Sequence, residues 1–269
     1  MESIPRPGVG GLTHDGDGSP AADPSPAAAV GFDAVILAGG RASRLGGFPK
    51  PQLAYRGATL LEHALDAVAT ARLTAVVGPG PGEPGGPAPL SDALPCGPAS
   101  ATGCVPAPEA RAVLYTREEP AYAGPLAALA SGLAALLSAP GTPPGWVAVL
   151  AADLPRAQEA AARLLAAAAE EPAADGVLGV DEGGHVQPLL AVYRSGPLAA
   201  VLEELSAEGG LADRPLRHLI ARLDLLPLRL PGHVSDDVDT WEAARHWGIE
   251  GPGRAEAPGA TPRQEEAHE

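Results

Sequence analysis

Short runs of hydrophobic residues recur along the chain and are separated by longer segments that are typical of helices. Within each run the hydrophobic residues are nearly continuous, which is the pattern of strands that are buried on both faces. The runs predict strands at residues 32–37, 73–77, 112–115, 146–150 and 225–230. Helices are predicted from residue 59 to about 72 and at 124–137, 156–170, 197–207, 214–222 and 240–246. This alternation predicts a mostly parallel sheet that is covered by helices.

Local capping and turn signals refine this pattern. Thr59 and Glu62 form a capping-box sequence, in which each side chain satisfies a free backbone N–H group at a helix start. Residues 177–180 and 186–193 flank the turn sequence Asp-Glu-Gly-Gly and therefore predict a hairpin, which adds a late antiparallel element. The predicted fold class is α/β, with one three-layer α/β/α domain over residues 32–249.

Three segments lie outside this pattern. Residues 1–31 and 250–269 are rich in Gly, Pro and Ala, and we expect them to be disordered. Residues 78–110 form a Pro/Gly-rich insertion without periodicity, which we expect to be a mobile surface loop. The insertion contains Gly80-Pro-Gly-Glu-Pro-Gly85, which matches the dinucleotide-binding pattern G-x-G-x-x-G. Its prolines prevent the helix that this fingerprint requires, so a dinucleotide-binding oxidoreductase is disfavoured.

Composition and charge exclude several classes of function. The net charge of −15 and the pI near 4.8 argue against nucleic acid or an anionic membrane surface as a partner. No apolar run is long enough to span a bilayer and no signal peptide is visible, so a cytoplasmic protein is expected. Cys96 and Cys104 form neither a disulfide framework nor a zinc site, and the seven histidines show no ligand spacing.

Cationic residues cluster in the segment Leu37-Ala-Gly-Gly-Arg-Ala-Ser-Arg-Leu-Gly-Gly-Phe-Pro-Lys50. Gly39 and Gly40 permit a tight turn after the first strand, at the sheet edge where α/β proteins bind ligands. Arg41, Arg44 and Lys50 then place three positive charges within ten residues, and Lys50 is the only lysine in the chain. Backbone N–H groups of such a loop form an anion site, so the segment predicts phosphate binding.

A carboxylate follows the most apolar strand. Asp153 follows residues 146–150 after two alanines, so it should lie at the same sheet edge as Gly39 and Gly40, which we call the glycine loop. Carboxylate oxygens suit Mg²⁺, which keeps several waters and bridges substrate phosphates. The alternative role for Asp153 is to cap the helix that follows.

The segment 37–50 resembles the signature L-A-G-G-x-S/A-x-R-M/L-G-x-x-K of nucleotidyltransferases, and specifically of molybdenum cofactor guanylyltransferases. The resemblance implies a Rossmann-like fold of the nucleotide-diphospho-sugar transferase type. It also implies that Arg44, Lys50 and Asp153 are catalytic, with Asp153 binding Mg²⁺. Glu119, which precedes Gly124-Pro-Leu126, resembles the acidic residue of a second family segment. The implied nucleotide-binding residues are Leu37, Ala38, Gly39, Gly40, Arg41, Arg44, Lys50 and Glu119.

Two downstream segments resemble family motifs less closely. Gln187-Pro-Leu189 matches an H/Q-P-L motif, and Asp237-Val-Asp239-Thr240 is similar to N/D-x-N/D-T-P-E, with Trp241 in place of the usual proline. The resemblance allows two roles for Asp237 and Asp239, either as further metal ligands, of which Asp239 is the candidate, or as helix caps.

The implied reaction is the transfer of GMP from GTP to a molybdopterin-type cofactor, with release of pyrophosphate. Leu-Ala-Gly-Gly favours guanine over the Leu-Ala-Ala-Gly of cytidylyl relatives. The alternatives are a cytidylyltransferase or another NTP transferase with a different phosphorylated acceptor, and a non-catalytic nucleotide-binding relative. Because the cofactor is labile, a protein that delivers or receives it is a candidate partner.

Overall fold

The computed structural model describes residues 30–40, 45–87 and 112–249. The expectations for the two chain ends, for most of the Pro/Gly-rich insertion and for Cys96 and Cys104 concern residues outside these ranges. Arg41 and Arg44 also lie outside the described residues.

The described residues contain one large sheet and one small hairpin. In chain order the strands are β1 (Phe32–Leu37), β2 (Ala54–Tyr55), β3 (Ala58–Thr59), β4 (Thr74–Val77), β5 (Val113–Thr116), β6 (Trp146–Ala151), β7 (Gly176–Val180), β8 (Val186–Arg194) and β9 (Leu225–Arg229). The large sheet has the order β5-β4-β1-β6-β8-β7-β9, and β8 alone runs antiparallel to its neighbours. The predicted hairpin is β7–β8, so both the mostly parallel sheet and its late antiparallel element are confirmed.

Helices cover both faces of the sheet. They are α1 (Leu60–Ala67), α2 (Pro125–Ser138), α3 (Ala157–Glu170), α4 (Ser195–Ala207), α5 (Arg217–Ile220) and α6 (Trp241–His246). Ala34 and Ile36 of β1 belong to a core that includes side chains of α1 and α3, whereas Val35 belongs to a core with α2, α4 and α5. This double burial explains why the strands are continuously apolar. Within the described residues, none of the helices combines the length and apolar content needed to cross a bilayer.

The capping box at the start of α1 is confirmed. The Glu62 N–H donates to Thr59 Oγ1 at 3.2 Å, and the Thr59 N–H donates to Glu62 Oε2 at 2.6 Å. The predicted end near residue 72 is wrong, because α1 stops at Ala67. The Arg72 N–H instead donates to Phe32 O at 2.9 Å, and the Arg72 guanidinium holds the buried Asp33 carboxylate in two hydrogen bonds of 2.6 and 3.0 Å. These contacts turn the chain into β4.

The helix predicted at residues 214–222 is also shorter than expected, since α5 spans only Arg217–Ile220. Pro215 disfavours the helical conformation in the residue before it, which excludes Arg214 from the helix. The Arg214 guanidinium donates instead to Leu205 O at 2.8 Å, which fastens this segment to the end of α4.

A third hydrophobic cluster lies apart from the two faces of the sheet. It joins the segment after the glycine loop to the last helix, and its buried members are Leu45, Leu53, Tyr55, Leu60, Val238, Ala244 and Ile249. The rings of Phe48 and Trp241 pack at its border, with 6.2 Å between centroids. The same segment forms a 3₁₀ turn at Lys50–Gln52 and the β2–β3 hairpin, neither of which the sequence pattern predicted. We call the hydrophobic cluster of these seven buried residues, from Leu45 to Ile249, the C-terminal cluster.

One glycine sets how closely α2 approaches the sheet. A methyl group at Gly132 would lie 2.6 Å from Val35 Cγ1 and 2.9 Å from Val77 Cγ2. Both valines are buried and their methyl groups have little freedom to move. The helix can therefore rest on β1 and β4 only because residue 132 has no side chain.

We expect Gly132→Ala to lower the free energy of unfolding by about 1–3 kcal/mol, because overpacking outweighs the gain in helix propensity of about 1 kcal/mol. Chemical denaturation would measure this change. Gly196→Ala in α4 is the matched control, since no atom lies within 4 Å of its added methyl group. That variant should be as stable as the parent or slightly more so. Equal stability of the Gly132 variant and the parent would contradict the close approach.

Candidate active site

The carboxyl ends of the three central strands meet at one edge of the sheet. In the register of β1, Leu37 pairs with Val77 of β4 and with Ala151 of β6. The Ala38 N–H extends this register by donating to Val77 O at 2.8 Å. The glycine loop and Asp153 therefore leave the sheet side by side, at the edge where open α/β sheets bind their ligands.

A glycine is needed directly after β4. The Gly78 N–H donates to Thr116 O at 2.9 Å, and a methyl group at Gly78 would lie 2.9 Å from the carbonyl carbon of Ala38 and 3.1 Å from Gly39 N. Both distances are well inside the usual 3.5–4.0 Å between non-bonded carbon atoms. Gly78 thus lets the end of β4 touch the start of the glycine loop. The sequence did not predict this contact of Gly78, because a close approach between distant segments leaves no local signal.

The Lys50 ammonium lies between two carboxylates. It donates to Asp153 Oδ2 at 3.1 Å and makes a second, shorter hydrogen bond to Asp239 Oδ1. Partial burial alone would lower the pKa of Lys50, but the hydrogen bonds and charges of Asp239 and Asp153 outweigh it and raise the pKa above its ordinary value. Lys50 is therefore a fixed positive charge at neutral pH, placed at the sheet edge by the 3₁₀ turn.

Asp237 completes an acidic cluster with these two residues. Asp153, Asp237 and Asp239 each present a carboxylate oxygen within 4.8 Å of the others. The Val238 N–H donates to Asp153 O at 3.1 Å, which ties this segment to the end of β6. Although Asp237 is exposed, desolvation of its carboxyl group and the charges of Asp153 and Asp239 raise its pKa.

The donor set of this cluster fits a hard divalent cation. Among the described residues, three carboxylates and the ammonium group of Lys50 lie together here, so these side chains carry a net negative charge. Asp153 Oδ1 is buried and accepts no hydrogen bond from the described residues. A buried oxygen in this state costs free energy unless a cation or a donor approaches it. Carboxylate oxygens are the ligands that Mg²⁺ and Mn²⁺ prefer.

The alternative roles as helix caps go to other residues. Thr240 caps α6, since its Oγ1 accepts from the Ala243 N–H at 3.1 Å. The residue before α3 is Arg156, and no side-chain hydrogen bond caps that helix. Asp153 and Asp239 are therefore left to face each other and Lys50.

Two cavities open at this sheet edge. The larger, of about 630 Å³, is bordered by the Lys50 and Arg117 side chains. The smaller, of about 300 Å³, reaches Asp153 and the start of α2 at Gly124. Four residues line both: Gly39, Gly40, Glu118 and Tyr122.

The structure brings most of the residues in the sequence hypothesis to these cavities. Leu37 lines the smaller cavity and Ala38 the larger. Glu119 is exposed and lines neither cavity, whereas the neighbouring Glu118 lines both. The sequence motif favoured Glu119 over the adjacent Glu118 by its position alone. Which of the two glutamates lines the cavities depends on a turn of the chain, which the motif does not predict.

The described part of the insertion is a cavity wall. Pro79, Pro84 and Gly85 line the larger cavity. Glu83 holds this loop together, since its Oε2 accepts from the Gly80 N–H at 3.1 Å and pairs with the Arg117 guanidinium. Residues 80–85 form turns and no helix, in agreement with the rejection of the dinucleotide fingerprint.

A comparison with protein families identifies the class to which this protein belongs. A family model described as MobA-like NTP transferase domain matches residues 34–226, which reach from β1 to β9. The chain belongs to this family. The sequence resemblance is thereby confirmed, and membership of an NTP transferase family supports nucleotidyl transfer as the activity class. A search of curated protein sequences gives no significant match.

Solved structures share the fold at low sequence identity. Molybdopterin-guanine dinucleotide biosynthesis protein A from Archaeoglobus fulgidus is 16% identical, with a TM-score of 0.53 over 80% of this chain and 96% of that one. Rv0371c from Mycobacterium tuberculosis in complex with manganese is 21% identical, with a TM-score of 0.50 over 81% and 98%. 2-C-methyl-D-erythritol 4-phosphate cytidylyltransferase from Thermus thermophilus is 17% identical, with a TM-score of 0.50 over 82% and 100%. The Rossmann-like transferase fold is thus confirmed.

We expect the acidic cluster to bind Mn²⁺, and Asp153→Asn or Asp239→Asn to weaken that binding at least about tenfold, because loss of even an outer-shell partner can cost this much. Electron paramagnetic resonance of added Mn²⁺ would measure the affinity. Asp236→Asn is the matched control, since the Asp236 carboxylate pairs with His233 Nδ1 at 2.7 Å, outside the cluster. Equal affinities for all three variants would show that Mn²⁺ binds elsewhere.

Proposed function

We propose that this protein transfers GMP from GTP to the phosphate of a molybdopterin-type cofactor, with Mg²⁺ as the metal and pyrophosphate as the second product. The observation that supports it most is the meeting of the glycine loop, Lys50 and the acidic cluster at one sheet edge. Family membership supports the nucleotidyl transfer. The choice of GTP rests on the Leu-Ala-Gly-Gly sequence at residues 37–40, and the acceptor rests on the resemblance to guanylyltransferases.

The triphosphate fits the larger cavity best. Lys50 and Arg117 are the cationic side chains among its described lining, and Gly39 and Gly40 border it with their backbone. We propose that Arg41 and Arg44, which follow these glycines, add charge to the same site. A protein with a net charge of −15 needs this local concentration of donors to hold a polyanion.

The acidic cluster supplies the metal site in this proposal. Asp153 and Asp239 would hold Mg²⁺, with Asp237 as a third carboxylate beside them. A bound Mg²⁺ supplies positive charge to phosphoryl oxygens and orients them.

The residues of the chain position the reactants and stabilise charge. An acceptor phosphate oxygen attacks the α-phosphorus of GTP in line, the new phosphorus–oxygen bond forms, and the bond to the bridging oxygen breaks as pyrophosphate leaves. The acceptor is already an anion, so neither a protein nucleophile nor a strong base is needed. Lys50 and Arg44 stabilise the charge that builds on the phosphoryl oxygens, which is the main source of catalysis in such transfers.

Lys50 has to change partners for this role. Its ammonium is held by Asp153 and Asp239, the same residues that are proposed to hold Mg²⁺. The Lys50 ammonium can donate to phosphates in the larger cavity only if it leaves Asp153 and Asp239, the residues that would hold the cation. Metal and nucleotide should therefore bind cooperatively.

The nucleotide contacts follow from the cavity linings. Leu37, Ala38, Gly39 and Gly40 line the cavities and are the proposed contacts. Glu119 remains the predicted contact to base or ribose, and Glu118 is a second carboxylate for this role because it lines both cavities.

The first test is a calorimetric titration of the full chain with GTP and with CTP, each with and without Mg²⁺. We expect GTP to bind, to require Mg²⁺ for tight binding, and to be preferred over CTP. A preference for CTP would keep the transfer chemistry and move the donor to the cytidylyl class. Binding of neither nucleotide would remove the proposed function.

The second test replaces the single lysine. Lys50→Ala should raise the activation barrier by about 2–4 kcal/mol, a decrease in kcat of roughly 30- to 1000-fold, by analogy with the loss of one oxyanion donor. Release of pyrophosphate from GTP in the presence of the acceptor measures the rate. Lys50→Arg is the control that keeps the charge but not the compact ammonium, and we expect an intermediate rate. Full activity of a folded Lys50→Ala chain would contradict the catalytic role assigned to Lys50.

A further inference from the structure

Tyr122 has a place at the candidate site that the proposed reaction does not yet use. It is one of the four residues shared by the two cavities. Among the described residues that line either cavity it is also the only one with an aromatic ring, since the others are mostly Gly, Pro, Ala and charged residues. Its side chain is 57% exposed, although the core of this protein buries most of its large apolar side chains.

The backbone of Tyr122 is held in an unusual conformation. Its φ is +64°, in the left-handed region that bulky residues rarely adopt. The Tyr122 N–H donates to Glu118 Oε1 at 3.0 Å, and the next residue is fixed by two hydrogen bonds, from Ala123 N–H to Pro120 O at 3.2 Å and from Asp213 N–H to Ala123 O at 2.7 Å. Strained residues that the surrounding structure holds in place cluster at ligand sites. These hydrogen bonds hold Tyr122 in its strained conformation directly ahead of α2, where it borders both cavities.

We propose that the Tyr122 ring stacks on the base of the bound nucleoside triphosphate. This inference rests on the proposed function, because it assigns a contact to the same substrate. A nucleobase is a flat heteroaromatic ring, and an aromatic side chain can cover its face whatever its hydrogen-bonding edge. Because Tyr122 borders both cavities, its ring can contact the base while the triphosphate extends towards Lys50.

The position of Glu118 adds to this assignment. Its carboxylate holds the Tyr122 backbone and lines both cavities itself. The ring and the carboxylate therefore form one unit, in which the ring covers the face of the base and the carboxylate lies near its edge. The unit is assembled before the nucleotide arrives, so that less conformational entropy is lost on binding.

The test compares a nucleotide with its phosphates alone. The full chain with Mg²⁺ is titrated calorimetrically with GTP and with inorganic triphosphate, and the same is done for Tyr122→Leu and Tyr122→Phe. Tyr122→Leu keeps an apolar side chain but has no ring. We expect it to weaken GTP binding about tenfold or more, which is the scale of one lost base–aromatic stack, and to leave triphosphate binding unchanged. Tyr122→Phe keeps the ring and should bind GTP within about threefold of the parent.

Two outcomes overturn this inference alone. GTP affinity that is the same in Tyr122→Leu as in the parent would show that the base lies away from the ring. An equal loss of affinity for GTP and for triphosphate would show that the substitution disturbs the phosphate site instead. A parent chain that binds inorganic triphosphate but neither GTP nor CTP would overturn both this inference and the proposed function, which keeps the two failures distinct.

Discussion

The candidate site depends on one ionic arrangement, the Lys50 ammonium between the carboxylates of Asp153 and Asp239. Lys50 is 103 positions from Asp153 and 189 positions from Asp239, so that their contact joins distant parts of the chain. Two supports hold them together. The parallel register of β1 and β6 places Asp153 beside the glycine loop, and the C-terminal cluster presses the segments of Lys50 and Asp239 against each other. If either support failed, like charges would be left facing one another without the cation that balances them.

The sequence predicted the layers of the fold well, because burial on both faces leaves a strong local pattern. Strand β1 was predicted with its true bounds, and the capping box of Thr59 and Glu62 marked the start of α1 correctly. Local patterns failed where distant contacts decide the outcome. The chain leaves α1 early and turns so that Arg72 forms hydrogen bonds with Phe32 and Asp33. No feature within the helix sequence predicts these bonds.

The candidate site was predictable in its parts and not in its assembly. The position of Asp153 at the sheet edge can be predicted from the strand before it. The contact of Asp239 with Lys50 cannot be predicted in this way, because it requires the packing of Phe48 against Trp241. The same limit applies to the insertion. Its prolines and glycines predicted a mobile surface loop and gave no sign that Pro79 and Pro84 form part of the larger cavity. Proline in a wall of this kind keeps its shape without secondary structure, because its φ is fixed.

The C-terminal cluster also sets an order of events during synthesis. Helices α1 and α3 and most of the sheet can assemble once the ribosome has released the chain through β8. Asp239, one of the two partners of Lys50, lies near the other end of the domain. The packing that holds it in place includes residues as far along the chain as Ile249. Ribosomes add about 5–20 residues each second, so several seconds separate the synthesis of β8 from that of Ile249. The arrangement for chemistry can therefore be complete only after the segment up to Ile249 has been made and has packed.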